Sequence, residues 1–538
     1  MQKLLALKAK AKEEAAAAAV AAAAARGTSN LGDNLNLNID AEEIELHEKL
    51  GDGRFGEVWK GSVYALNVAV KIPYVQDLEG EALERFKQQL SVMNTPHPNT
   101  VLYMGACSEP GRFRIVTELM DGNLRRLLRS HQRLSLYEKM DMARCAALAL
   151  TWLHCFSDPP IIHGNLTTSN LLYNMSGNKF TDIKLTGFGL SQINQSDTLR
   201  CHAPEVLGGS PADEKSDVYS FGLVLWEFLT HLEPFSQLTN EQFVEVVLNR
   251  NERPPIPSNC PAVLRTLIEE CWQPDPKKRP NFKEIAERMD VVVVHSAISD
   301  AVGRSFWERY FLKEGEVNSK TFFRKLYSHY RKPLPKDTAP MEVISPYLTL
   351  FGTSTERPTK KPANELRNKA PLTKEALMEL YKLRGLKALL VQLDSTKQNS
   401  VVSVERFGKI LEWFGPLLED NLDTFLDRIH LVLTQPWFHG AIETAEAERR
   451  LSDQPQGTFL VRFSNNPDHP GAYTISRVTT PQLSIGHIRI THAPGQGFSI
   501  NDERDYPSLG ALVQDLQSAG HLRTACLGSK YLSLFNLE

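Results

Sequence analysis

Apolar residues alternate with polar residues and glycine through "IELHEKLGDGRFGEVWKGSVYALNVAVKI" (44–72), the period-two pattern of strand, turn and strand. The period then changes. "ALERFKQQLSVM" (82–93) has helical spacing, "RIVTELM" (114–120) is strand-like, and helical patterns follow at 134–156, 214–231, 240–250, 261–272 and 282–290. Strands first and helices after predict an α+β unit with a strand-rich lobe and a larger helical one. Residues 294–434 stay mostly helical in pattern, interrupted by a polar, Pro- and Lys-rich stretch at 353–371. From 437 the pattern resets to a helix followed by short strands. Residues 2–26, rich in Ala and Lys, predict a solvated, fraying helix, and "RGTSNLGDNLNLN" (26–38) predicts a linker.

A chain of 538 residues has room for three or four domains, so the expected class is multidomain α+β. The 42% hydrophobic and 23% charged residues are those of an ordinary globular protein. A net charge of −3 gives no general pull towards nucleic acid or anionic membrane, and neither is an expected partner. The seven cysteines are odd in number and lack metal-ligand spacing, which predicts reduced thiols in a cytoplasmic protein, with Cys201 the most exposed. "AAAAAVAAAAA" (15–25) is too short and too weakly apolar to span a bilayer, and Glu13 and Glu14 before it argue against a signal peptide. Direct membrane insertion is therefore not expected.

"GDGRFGEV" (51–58) is G-x-G-x-x-G-x-V. The spacing alone is shared with dinucleotide-binding turns, but there a helix follows, whereas here a second strand follows and ends in "VAVK" (68–71). Glycines between two strands let the backbone close over phosphates. Gly51, Gly53 and Gly56 are the candidate phosphate loop, Lys71 the candidate cation on the phosphate oxygens, and Val58 and Ala69 the candidate adenine cover. With "HPNTVLYMGAC" (97–107), "HAPE" (202–205), "DVYSFGLVLWE" (217–227) and "CWQPDPKKRPNF" (271–282) in order, residues 43–293 resemble a protein kinase domain of the tyrosine-kinase-like branch. The resemblance implies a two-lobed fold, Thr117 as gatekeeper and backbone contacts to adenine from Glu118 and Met120. It also implies that Asp217 holds the catalytic-loop backbone, and that Glu205 and Arg279 form a buried ion pair.

The same resemblance exposes departures. "IIHGNLTTSN" (161–170) stands where kinases carry H-R-D-L-x-x-x-N, so Asn165 replaces the base and Gly164 the Arg. An amide takes no proton near neutral pH, and general-base help is worth about 10²–10⁴ in rate. "GFG" (187–189) replaces D-F-G, so Gly187 offers no carboxylate to Mg²⁺. Asn170 remains as one neutral metal ligand. The helical residue expected to pair with Lys71 is Gln89, or Gln88 in a shifted alignment, with Glu84 a substitute. Thr167 stands where a Lys is usual. These changes strip charge from the phosphate and metal end. The expectation is a pseudokinase that holds ATP weakly if at all, with Mg²⁺ not expected. The alternative is an active dual-specificity or Ser/Thr protein kinase with a non-standard site.

"WFHGAI" (437–442), "GTFLVRFS" (457–464), "GAYTISRV" (471–478) and "IGHIRI" (485–490) resemble a Src-homology-2 (SH2) domain, with "AEAERRLS" (445–452) and "SLGALVQDLQ" (508–517) as its helices. Phosphotyrosine carries about −1.5 to −2 charges near neutral pH. Arg462 meets that charge with a bidentate fork in this reading, Ser464 donates a hydroxyl, Arg489 is a second cation, and His487 orients the ring or the loop. Thr444 stands where the family often has an Arg. Together the two resemblances, with "SFWERYFLKEGEVNSKTFFRKL" (305–326) and "VVSVERFGKILEWFGPL" (401–417) between them, resemble the amoebal SH2-kinase family. The expected segments are an Ala-rich tail and linker (1–42), a kinase-like domain (43–293), a helical EF-hand-like linker (294–434) and an SH2 domain (437–533). "DSTKQNSVVSVE" (394–405) has calcium-loop length but only Asp394 and Glu405 as carboxylate ligands, and "EGEVNSKTF" (314–322) is a half-match, so no calcium is expected. The expected partners are tyrosine-phosphorylated proteins, through which the chain reaches membranes, and an active kinase.

Overall fold

The computed structural model describes residues 38–333, 335 and 373–535, apart from 54–55, 77–79, 81–82, 84–89, 91, 95, 157, 178, 189–198, 395–397, 465, 467–468, 480–483, 494–496 and 502–503. The Ala-rich segment, most of the 82–93 helix and the 353–371 interruption lie outside the described residues. Two compact units result. The first takes in the chain as far as Gln132, then Cys145–Ile256 and Ile268–Ile285; the second takes in Arg133–Arg144, Pro257–Leu267 and Ala286–Glu538.

In the first unit β1 (Ile44–Gly53), β2 (Gly56–Val63), β3 (Leu66–Pro73), β4 (Tyr103–Cys107) and β5 (Arg114–Glu118) form an antiparallel sheet in the order β1-β2-β3-β5-β4. The glycine run is a hairpin tip, with Gly53 opposite Gly56 and Gly51 opposite Val58. A side chain at Gly56 would start 2.0 Å from the Ile72 carbonyl oxygen, so the approach of β3 demands glycine there. Alternation sorts β3. Val68 and Val70 are buried in a cluster with Ile44, Val63, Cys107 and Val116, which leaves Ala69 and Lys71 on the other face. The register then lines up Gly51, Val58, Lys71 and Ile115 across four strands. Further along, β6 (Leu171–Ser176) pairs antiparallel with β7 (Lys179–Leu185).

The helical patterns appear as α1 (Leu136–Phe156), α2 (Glu214–Thr230), α3 (Ala262–Cys271) and α4 (Phe282–Ala297). The start of α2 is fixed by a capping box, in which Asp213 and Ser216 satisfy each other's backbone amides. The 240–250 pattern splits into a helix, Asn240–Val244, and a wider π turn, Glu245–Asn249. Cys201 departs from the expectation. It is buried, and burial pushes its thiol up to about 12, whereas Cys155 is the exposed cysteine among those described. Among the described residues no helix is long and apolar enough to cross a membrane.

In the second unit one apolar core runs from Val294 to Leu534. It is built by α5 (Ala301–Phe311), α6 (Ser319–His329), α7 (Lys374–Leu390), α8 (Val404–Phe414) and α9 (Leu422–Leu433), and by the elements that follow them. The two acidic loop segments meet here. β8 (Glu316–Asn318), β9 (Gln392–Leu393) and β10 (Ser400–Ser403) form a small sheet with Val402 opposite Val317. Asp394 accepts hydrogen bonds from the amides of Gln398 (3.1 Å) and Asn399 (3.3 Å) and from the Asn399 side chain (2.8 Å), while Glu405 accepts from Lys409 (2.7 Å).

A five-stranded sheet completes this unit in the order β11 (Phe438–Gly440), β12 (Phe459–Phe463), β13 (Tyr473–Val478), β14 (Ile485–Ala493) and β15 (Gly497–Ser499). Leu460 faces α10 (Thr444–Leu451), in a cluster with Ala447 and Leu451. Phe459, Val461 and Phe463 face the other way, into the core that also holds Leu509, Leu512 and Val513 of α11 (Leu509–Ser518). Trp413 of α8 stacks on Phe463 at 3.8 Å and 15°, and its indole N–H donates to the Ala472 carbonyl (3.2 Å). The helical segment and the sheet therefore share one core rather than meeting as beads on a string.

Candidate functional sites

In the first unit the sheet sets Lys71 beside Val58 and two residues beyond Ala69 on the same face. Burial draws its ammonium down to about 8. Thr117 lies opposite Ala69. The Glu118 amide donates to the Leu102 carbonyl (3.0 Å), and the Glu118 carboxylate accepts from the Leu102 amide (2.7 Å) and from Lys184 (2.6 Å). Its N–H is thus engaged within the protein, and a backbone contact from Glu118 to adenine falls to its carbonyl. Met120, two residues on, is buried.

The loop after α1 is held from below. Asp217, buried in the first turn of α2, accepts from the amides of His163 (2.8 Å) and Gly164 (2.8 Å) and lies 3.0 Å from the His154 ring nitrogen Nε2. His163 donates from Nε2 to the Thr186 carbonyl (3.1 Å) and accepts at Nδ1 from the Asn165 amide (3.2 Å). That pair of roles fixes a neutral tautomer, and burial lowers its pKa. Asn165 is buried, and its side-chain oxygen has no hydrogen-bond partner among the described residues. The Asn170 side-chain amide donates to the Asn165 backbone carbonyl (2.8 Å). Gly187 has φ +87°, in the left-handed region, and a side chain there would start 3.2 Å from the Asn170 amide group. The structure thus brings Asn165, Asn170 and Gly187 together, two amides and a glycine, with no carboxylate among the three. Gln89, Gln88 and Glu84 lie outside the described residues, and so does the Gly-rich tip between Gly53 and Gly56.

In the second unit Arg462 is the next-to-last residue of β12, in register with Thr474 and then Arg489 across two strands. Residues opposite one another share a face, so this row lies on the α10 side. Arg462 is only 6% exposed. It donates to the Thr444 hydroxyl (2.8 Å), and its Nε is buried without a hydrogen-bond partner among the described residues. Burial lowers its pKa, opposed by the nearby carboxylates of Glu443 and Glu448. Arg489 is exposed in the same row. His487, two residues away, lies 3.2 Å from Glu448 through Nε2 and 2.9 Å from the Ser476 hydroxyl through Nδ1. A carboxylate only accepts, so Nε2 carries the hydrogen, and in the neutral ring Nδ1 accepts from Ser476. The Ser464 hydroxyl accepts weakly from the Asn466 amide (3.4 Å). All four candidate residues are thus on or next to one face of the sheet. Thr444, noticed in the sequence only as a missing Arg, supplies the oxygen that steadies Arg462. Glu448 was not identified from the sequence, although it lies one helical turn after Thr444 and so on the same face of α10.

The family model described as "Protein tyrosine and serine/threonine kinase" matches residues 44–289, and the SH2 domain model matches 437–516. The chain is 38% identical over 513 residues to "Dual specificity protein kinase shkA" of Dictyostelium discoideum, covering 92% of this chain and 90% of that protein. It is also 39% identical over 479 residues to "Dual specificity protein kinase shkC" of the same organism, covering 86% of each. It belongs to the SH2-domain protein kinase family. The kinase part alone also resembles "Probable serine/threonine-protein kinase SIS8" of Arabidopsis thaliana, 40% identical over 256 residues, which is 45% of this chain and 24% of that protein. For this SH2-domain kinase the multidomain α+β architecture expected from the sequence is borne out. The relatives' names agree better with the expected alternative, an active kinase, than with the pseudokinase reading.

Proposed function

We propose that the chain is a phosphotyrosine-dependent signalling protein. Its SH2 domain binds tyrosine-phosphorylated partners, and its kinase domain, with little or no phosphotransfer, serves as a scaffold or allosteric regulator of a partner such as an active kinase. The observation that carries the binding half is Arg462. A guanidinium set into an apolar strand, with a buried Nε that has no partner among the described residues, is expensive unless an anion completes it. The measurement is anisotropy of the full chain with a labelled pool of phosphotyrosine peptides beside the same pool unphosphorylated. Equal affinity for both pools would overturn this half.

The catalytic half rests on chemistry. Asn165 has no basic oxygen to take the hydroxyl proton, and Gly187 has no side chain for a metal. The chain's residues fit ATP better than they fit its metal. Lys71 and the glycine turn line up for phosphates, while Asn170 is a single neutral ligand for Mg²⁺. When bound, ATP would bring the phosphates that Lys71 neutralises. A second reading, dual-specificity protein kinase activity with ATP through a non-standard site, is favoured by the names of the relatives.

The Lys71 ammonium titrates near 8, lowered from its ordinary value by burial. Protonated Lys71 attracts phosphate and neutral Lys71 does not, so binding weakens as pH rises through that value. Between pH 7 and 9 the affinity for a fluorescent ATP analogue should fall by up to about tenfold, and Lys71→Met should remove the pH dependence. A wild-type profile flat over this range would mean that Lys71 does not contact the phosphates.

A further inference from the structure

Tyr64 and Tyr74 are the two exposed tyrosines among the described residues, 70% and 57% accessible. Their settings differ. Tyr64 and Ala65 form the two-residue turn between β2 and β3, both with positive φ (48° and 65°), so the backbone is constrained on each side. Tyr74 follows the last residue of β3 and begins an irregular stretch in which Val75 is also exposed. An enzyme that must seat a tyrosine in its own cleft meets a closed two-residue hairpin at Tyr64, whereas Tyr74 lies just past the paired strand, between Pro73 and a Gln76 whose side chain is anchored to the Pro73 and Phe113 carbonyls.

The Tyr74 hydroxyl donates to Asp52 Oδ1 (3.4 Å). Asp52 is at the tip of β1, within the glycine turn and opposite Glu57 of β2. Lys49 lies between the two carboxylates, 2.7 Å from Asp52 and 2.8 Å from Glu57. Glu57 also accepts from the Trp59 indole N–H (2.9 Å). One ammonium thus balances two carboxylates, and the Tyr74 hydroxyl ties the end of β3 to the turn above the nucleotide residues.

We propose that Tyr74 is a tyrosine-phosphorylation site, and that phosphate on it releases the glycine turn by replacing the hydroxyl donor to Asp52 with a dianion. A tyrosine kinase acting in trans supplies the phosphate from ATP. The Tyr74 Oη–P bond forms, the bond from the γ-phosphorus to the bridging oxygen breaks, ADP leaves and the phenolic proton is lost. The product has no O–H to donate. It carries about −1.5 to −2 charges, within reach of Asp52 and close to Glu57, with Lys49 the cation paired to those carboxylates among the described residues. Repulsion at this distance works against Asp52 and the end of β1 that carries it. The effect requires neither phosphotransfer by this chain nor a working SH2 site.

The experiment treats the full chain with a broad-specificity tyrosine kinase domain and ATP, maps phosphate by mass spectrometry, and follows backbone hydrogen exchange over residues 49–58. Wild type and Tyr64→Phe should take phosphate at Tyr74, and Tyr74→Phe should lack it. Exchange over 49–58 should rise about two- to fivefold on phosphorylation, the size of a surface charge effect, with unchanged melting of the chain. Asp52→Asn, which removes the nearest like charge, should blunt the rise. Phosphate on Tyr64 but not on Tyr74 would overturn the proposal, and so would stoichiometric phosphate on Tyr74 with unchanged exchange.

Discussion

Replacing Arg462 with alanine should lower the affinity of the full chain for phosphotyrosine peptides by about 30-fold or more. Removing one side of a buried, hydrogen-bonded charge pair typically costs about 2–5 kcal/mol, and tenfold in affinity is about 1.4 kcal/mol. The setting of Arg462 places it in that range. Its guanidinium is already stripped of water by β12 and α10, Thr444 fixes one of its nitrogens, and the unpartnered Nε adds a donor that phosphate can satisfy. Arg462→Lys keeps the charge but not the fork and should lose about tenfold. Folding is not expected to suffer, because alanine removes a desolvated charge rather than a packed apolar group. Arg489→Ala, exposed at the rim of the same row, should lose much less. Anisotropy with the peptide pool, beside a thermal melt, measures both. Wild-type affinity in Arg462→Ala would remove this residue from the site.

The second large effect is on stability. Arg279→Ala should destabilise the first unit by about 3–5 kcal/mol, because it leaves half of a buried ion pair behind. The Arg279 side chain is fully buried. It makes a bidentate pair with Glu205, at 2.6 and 2.9 Å, and also donates to the carbonyls of Gln273 (2.8 Å), Lys215 (2.9 Å) and Pro274 (3.3 Å). Alanine strands the Glu205 carboxylate, which is 19% exposed, together with three carbonyls. For a unit of this size each kcal/mol lowers the melting temperature by about 2–4 °C, so a drop of about 6–20 °C is expected. A melt within about 2 °C of wild type would mean that the pair is dispensable. Because the pair belongs to the first unit and the SH2 sheet to the second, phosphotyrosine binding should survive in Arg279→Ala at a temperature where the chain is folded.

Much of the fold was legible in the residues. The period-two run at 44–72 became three strands, and the helical stretches at 134–156 and 214–231 became α1 and α2 within two residues. The glycine motif and "VAVK" foretold the row Gly51, Val58 and Lys71, because register follows once two strands are joined by a short turn. The Arg of "FLVR" likewise foretold a charged residue in an apolar strand. Tertiary contacts were not legible. Cys201 sits in a polar stretch of sequence, yet packing buries it, with the Ser220 hydroxyl donating to its carbonyl (2.7 Å). The stack of Trp413 on Phe463 joins residues 50 apart, and no local pattern announces it. The unpartnered oxygen of Asn165 follows from the way Asp217 and His163 hold the loop, which spacing alone does not reveal.

The pairing of Asn165 with Gly187 carries the central claim, since together they leave the kinase domain without a proton acceptor or a charged metal ligand at the usual places. Side-chain geometry also argues against a simple repair. Asn165→Asp restores a carboxylate to a buried spot, but a side chain at Gly187 must form at positive φ and 3.2 Å from the Asn170 amide. Asn165→Asp alone should therefore add no phosphotransfer over wild type. The most direct measurement is transfer of labelled phosphate from ATP by the purified wild-type chain, to itself and to generic protein substrates, with Mg²⁺ and with Mn²⁺, beside Lys71→Met. The account predicts wild-type incorporation no greater than that of Lys71→Met, with the fold intact by thermal melting. Incorporation by wild type that Lys71→Met abolishes would contradict it, and would make this chain an active kinase.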